Sequence, residues 1–157
     1  MASAGLAPAR IQNTVTVAQA TALARVRVSA RWFYWIAGLS LINSAVVIFG
    51  GNFHFVVGLG VTSVVDVLAK RVGTTGVVLD LIIKGSVAGL FCLFGNYASK
   101  AQKWAFLVGM GLYALDGLLL LAAKDVLSVG FHVYALFCIY RGLAATGAAG
   151  QIQTGQA

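Results

Sequence analysis

Five apolar stretches, at residues 32–50, 53–69, 76–98, 104–123 and 126–140, account for nearly all of the chain between Trp32 and Arg141. Crossing the hydrocarbon of a bilayer as a helix takes about 20 mostly apolar residues, and four of the five stretches have that length or reach it by continuing. Only 10% of the 157 residues are charged, against 60% hydrophobic. A water-soluble domain carries roughly a quarter of its residues as Asp, Glu, Lys and Arg, so the solvent expected here is lipid. Disordered, collagen-like and disulfide-rich classes are excluded by the same figures. Little polar sequence is left from which to build a separate soluble catalytic module.

The stretch 32–50 has no charge and should span. The stretch 53–69 is shorter, follows the turn Gly50-Gly51-Asn52 and carries His54 and Asp66, so crossing, re-entry and an interfacial position all stay open. The stretches 76–98 and 104–123 should span despite Asp80, Lys84 and Asp116. The last should span too, with the Arg141 stem reaching toward the headgroups while the helix continues through Ala-rich sequence. The expected fold is an all-α polytopic transmembrane helix bundle, with four full spans plus one short membrane helix preferred over five spans. Brief turns imply antiparallel neighbours. Trp32, Trp35, Tyr97, Trp104 and Tyr140 fall at span ends, where amphipathic rings anchor at the headgroup level, with Arg31 and Arg141 beside them.

Eleven cations face four acids, a net charge of +7, and only Lys84 of the cations lies within an apolar stretch. The basic excess therefore sits outside the hydrocarbon, where it meets anionic lipid headgroups, and no nucleic acid is needed to explain it. Arg10, Arg25, Arg27 and Arg31 favour a cytoplasmic N-terminus. Charge does not decide between four and five spans, since each adds three cations to the cytoplasmic side. Residues 1–31 read as a basic arm, helical and amphipathic through Ile11, Val15, Ala18, Ala22 and Val26, with disorder or a cleaved presequence as alternatives. Residues 32–145 form the bundle. Residues 146–157, rich in Gly, Ala and Gln, read as a flexible tail.

An ionisable group at mid-membrane costs roughly 2.5 to 3.5 kcal/mol on insertion scales, so each one must be compensated or used. His54, Gly58, Thr62, Asp66 and Lys70 recur every four residues, as do Gly76, Asp80, Lys84, Ala88 and Cys92. Such stripes face protein or water, a packed seam being the simpler of the two readings. Asp80 one turn before Lys84 has the favourable orientation for a helical ion pair. Asp116 has no such neighbour on its own helix; His132, Lys84 and Asn43 are its candidate partners, or it is protonated. Tyr113, Gly109 and Gly117 share its side. Gly38, Ser40, Asn43 and Ser44 give the first span a close-packing, hydrogen-bonding face, and Gly58 does so in the second stretch.

His132 reads as a hydrogen-bonded packing residue, with proton relay and haem ligation as alternatives. The chain has two His and two Cys, without H-x-x-x-H or C-x-x-C spacing, so no metal site is expected, and Cys92 and Cys138 read as small hydrophobes. There is no nucleophile–base pattern, G-x-S-x-G or phosphate loop, and an enzyme is not expected.

The strings Gly38-Leu39-Ser40-Leu41-Ile42-Asn43-Ser44, Gly58-Leu59-Gly60, Trp104-Ala105-Phe106 with Gly109-Met110, Tyr113-Ala114-Leu115-Asp116-Gly117, and Phe131-His132 with Ala135-Leu136 resemble a group of small uncharacterised bacterial multi-spanning membrane proteins. The similarity covers about residues 32–143. It implies a bacterial inner-membrane location and a bundle, and carries no activity.

The leading functional expectation is a non-enzymatic subunit, accessory or structural, that acts through helix contacts with other membrane proteins or with itself. The rival is a proton-linked small transporter or channel using Asp66, Asp80, Asp116 and His132. A third possibility is a haem- or quinone-associated protein using His54 and His132; no cofactor is otherwise expected.

Overall fold

The computed structural model describes residues 6–48 and 74–154, with side-chain surroundings for most of 17–46 and for 81–149. The stretch 53–69, with His54, Gly58, Thr62 and Asp66, lies outside the described residues, as do the side chains of Ser44 and Asp80. Among the described residues there are four helices and no strand: α1 (Leu6–Ile48), α2 (Thr74–Ser99), α3 (Lys103–Ala122) and α4 (Val126–Thr154).

Helix is the only open structure that satisfies its own backbone in lipid, so runs this apolar have little alternative. The single proline, Pro8, falls in the first turn of α1, where a missing N–H breaks no helical bond. The ends are set by local chemistry. At the end of α2, Gln102 N–H reaches Tyr97 C=O and Ala101 N–H reaches Ala98 C=O, with Ala101 at φ 59°. The end of α3 repeats the pattern: Asp125 N–H to Leu120 C=O, Lys124 N–H to Leu121 C=O, and Lys124 at φ 62°. Both are Schellman closures with a left-handed residue that is not glycine. Asp125 then starts α4, its Oδ1 accepting the Ser128 N–H at 3.2 Å as an N-cap does.

The four helices alternate in direction around a square. Tyr34 lies against Gly95 while Leu23 lies near Ala101, so α1 and α2 are antiparallel. Ser29 meets Gly142 and Trp32 meets Phe131, so α1 and α4 are antiparallel as well. The short turns join α2 to α3 and α3 to α4. Phe33 fills the middle, with ring centroids 6.2 to 6.3 Å from Phe91 and Phe94 on the neighbouring α2 and 6.1 Å from Phe106 across the diagonal on α3. Gly109 makes this possible: a Cβ there would stand 2.6 Å from Phe33 Cε1.

The helices do not break where the sequence suggested domain edges. α1 is continuous through residue 31, and α4 runs to Thr154, past the expected end of the bundle at 145. Ala22, Val26, Ser29 and Ala30 on α1 and Gly142, Thr146 and Ala149 on α4 are buried. Small residues in the tail resemble a loop in sequence, yet small residues are also what lets two helix backbones approach closely, and that is their use here. Each helix in this region has the other to bury its apolar stripe against.

Trp35, Tyr97, Trp104 and Tyr140 are exposed on one half of the bundle, with Trp32 half-buried among them. By helix direction this is the half nearest the α2–α3 turn, and Arg31, Lys100, Lys103 and Arg141 lie at the same end.

Candidate functional site

Apart from Ser29 and Thr146, the buried polar groups gather in the opposite half, near the α3–α4 turn. Each arrives by helical periodicity. On α3 the buried positions Phe106, Gly109, Tyr113, Asp116 and Gly117 form one stripe, and on α4 Ser128, His132, Ala135 and Ile139 form another. Because α3 and α4 are antiparallel, Asp116 and His132 fall at one level.

Asp116 Oδ2 lies 2.9 Å from His132 Nε2, with the two residues 3% and 1% exposed. The second ring nitrogen, Nδ1, lies 2.9 Å from the Ser128 carbonyl. A carbonyl only accepts, so Nδ1 carries a proton and donates it. Nε2 and Oδ2 must then share a single further proton, either on the carboxyl or on the ring. Both arrangements are net neutral, which is how a carboxylate and an imidazole coexist at this depth without an isolated charge. The Tyr113 ring stacks on the imidazole at a centroid distance of 4.2 Å and an interplanar angle of 14°. Gly117 closes the other side, where a Cβ would come within 3.3 Å of His132 Cβ and Cδ2.

Ser128 links this dyad to the turn. Its hydroxyl donates to Asp125 Oδ2 while its N–H caps on Oδ1. These bonds, the Ser128 hydroxyl first and its backbone N–H second, hold the Asp125 carboxyl below the usual carboxylate range. Asp125 thus fixes the first turn of α4, the Ser128 carbonyl fixes the His132 ring, and the ring meets Asp116.

Of the other residues singled out in sequence, Lys84, Asn43 and Ser40 are buried, and their helix positions place them in the same half of the bundle. Gly109 and Gly117 sit at close approaches, whereas a Cβ on Gly38 would meet no described atom within 4 Å. Cys92 and Cys138 are free thiols. Sequence reasoning missed Gly95, which accommodates Tyr34, and Gly142, which accommodates Ser29 and Phe106. Nothing in the spacing separates them from Gly89 or Gly147, which have open space around the position of a Cβ.

Fold and site together define a small all-α bundle with a buried Asp–His dyad. Three of its helical segments, Leu81–Ser99, Lys103–Ala122 and Val126–Ala149, are long and apolar enough to cross a membrane. No family model matches the chain, and no curated protein or solved structure matches it.

Proposed function

We propose that the chain is a four-span integral membrane protein of a bacterial inner membrane, with a cytoplasmic N-terminus, that works through helix contacts as an accessory or structural subunit of a membrane complex. The observation that carries this reading is the outer face of α2. On α3 the exposed side is Leu107, Val108, Leu112, Leu115, Leu118 and Leu119, as lipid requires. On α2 the exposed face sets Gly85, Gly89, Cys92 and Asn96 beside Leu81, Ile82, Leu90 and Leu93, and a Cβ at either glycine would meet no described atom within 4 Å. Gly85 and Gly89 have the G-x-x-x-G spacing that lets two membrane helices approach closely, and Asn96 adds a hydrogen-bonding group on the same face.

Helix direction supports this topology. Antiparallel α1 and α2 put Ile48 and Thr74 at the same end of the bundle, which supports four crossings and returns the C-terminus to the side of the N-terminus. Arg25, Arg27, Arg31, Lys100, Lys103 and Arg141 then share the cytoplasmic side. A reporter fused after Ala157 should read cytoplasmic; an external reading overturns the four-span arrangement.

The association itself is tested in mild detergent. The wild-type chain should migrate as a complex with a defined partner or with itself. Gly85→Leu/Gly89→Leu should release it, and in a Cys138→Ser background Cys92 should form an oxidative or bismaleimide cross-link to whatever covers that face. A monodisperse monomer that is unaltered by the leucines sinks the proposal.

A second reading has one observation behind it: the buried 2.9 Å contact between Asp116 and His132 has the geometry to hold and pass a proton, as a proton-linked transporter or channel needs. Haem ligation fits less well, because both ring nitrogens of His132 are engaged and the iron would have to displace Asp116.

A further inference from the structure

We infer that the groove between α1 and α4 at the basic end of the bundle is a binding site for one anionic phospholipid. The groove has a volume of about 550 Å³, within the range of small-molecule sites, and is partly open. Its two ends differ in chemistry. Toward the bundle centre the walls are Val28, Trp32 and Phe137, and Trp32 is braced edge-on by Tyr134 at 5.4 Å. Toward the terminus the walls carry Arg25 from α1 and Arg141 from α4, both exposed, and no acid lines the groove. Ala144, Ala145 and Ala148 supply the space by having almost no side chain.

The order of these features along the helices matches a phospholipid. Trp32 begins the apolar part of α1, and Tyr140 sits beside Arg141 at the aromatic level of α4, so the groove straddles the hydrocarbon boundary. A phosphate placed between the two guanidiniums would take charge-assisted hydrogen bonds from both helices, while an acyl chain continued down past Trp32 and Phe137. A soluble phosphate compound would leave that apolar half uncovered. The inference depends on the membrane placement of the bundle and not on association through α2, and the two can fail separately.

Native mass spectrometry of the purified full chain, titrated with phosphatidylglycerol or phosphatidylcholine, tests it. One retained phosphatidylglycerol per chain is expected, with phosphatidylcholine weaker. Arg25→Gln/Arg141→Gln should weaken the anionic lipid roughly thirtyfold, about fivefold per arginine. Lys100→Gln/Lys103→Gln, with the same change in charge at the same end of the bundle, should leave retention near wild type. Ala144→Phe should abolish retention without altering charge, and circular dichroism should show each variant folded. Equal losses in the arginine and lysine pairs, full retention in Ala144→Phe, or displacement of the lipid by an equal concentration of inorganic phosphate would each overturn the site.

Discussion

Replacing Asp116 with leucine is expected to destabilise the bundle by about 2 to 3 kcal/mol in detergent unfolding. Interhelical hydrogen bonds in membranes contribute roughly 0.6 to 1.7 kcal/mol, and a buried ring nitrogen left without a partner adds about 1 to 3 kcal/mol. His132→Phe keeps the ring against Tyr113 but leaves the carboxyl without its ring nitrogen, so its cost should be similar. The double variant Asp116→Leu/His132→Phe should recover part of the loss, because neither the carboxyl nor the ring nitrogen is then left facing an apolar partner. Additive losses would mean that the 2.9 Å contact does not hold α3 and α4 together.

Asp116→Asn separates the two functional readings. The amide N–H can donate to Nε2, so the chain of contacts from the Ser128 carbonyl through His132 to position 116 survives, and stability should fall by less than about 1 kcal/mol. The exchangeable carboxyl is gone. If the dyad is only a structural clasp, association through α2 is unchanged and proteoliposomes of the variant pass protons no differently from the parent. If the dyad moves protons, flux disappears in a variant that is still folded.

Gly142→Val should have the larger effect of the two, costing about 3 kcal/mol or more and preventing α1, α3 and α4 from reaching their present separation. Even a Cβ at Gly142 collides with Ser29 Cβ and comes 3.0 Å from Phe106 Cε1. Inserting carbon into such a contact costs typically about 1 to 3 kcal/mol, and here the colliding atom is the base of a side chain that cannot rotate away. Ser29→Gly should rescue Gly142→Ala in large part, since it removes the clashing atoms from the facing helix. Gly147→Ala, five residues further along α4 in open space, should be neutral or stabilising by up to about 1 kcal/mol through helix propensity. Equal thermal shifts for the two alanines would show that α1 and α4 do not meet as described.

The apolar, span-length helices, the all-helical class of the described residues and the two turns at 100–102 and 123–125 could all be read from residue order. Long apolar runs leave the backbone one way to satisfy itself, and brief polar breaks mark where the runs end. The pairing of Asp116 was readable only as a choice among His132, Lys84 and Asn43. That His132 Nε2 comes within 2.9 Å of Asp116 depends on the register of α3 against α4, set by the Lys124 and Asp125 turn and by the space at Gly117. The spacing of Ile11, Val15, Ala18, Ala22 and Val26 points to helix ahead of the first apolar stretch, and the last helix is expected to continue past Arg141, but not as far as Thr154. Alanines and glycines from residue 146 onward have the composition of a loose end, and only a second helix laid against them turns that composition into a contact face.

Periodicity tells which residues share a side of a helix, and for this protein that was enough to mark helices apolar enough to cross a membrane and to place Asn43, Lys84, Asp116 and His132 on inward faces. It does not tell which neighbour that side meets, or at what distance. Gly142 and Gly147 are the same residue in similar local sequence, and one stands against Ser29 while the other stands in open space. Close approach is a property of two surfaces, and the second surface comes from more than a hundred residues away in the chain.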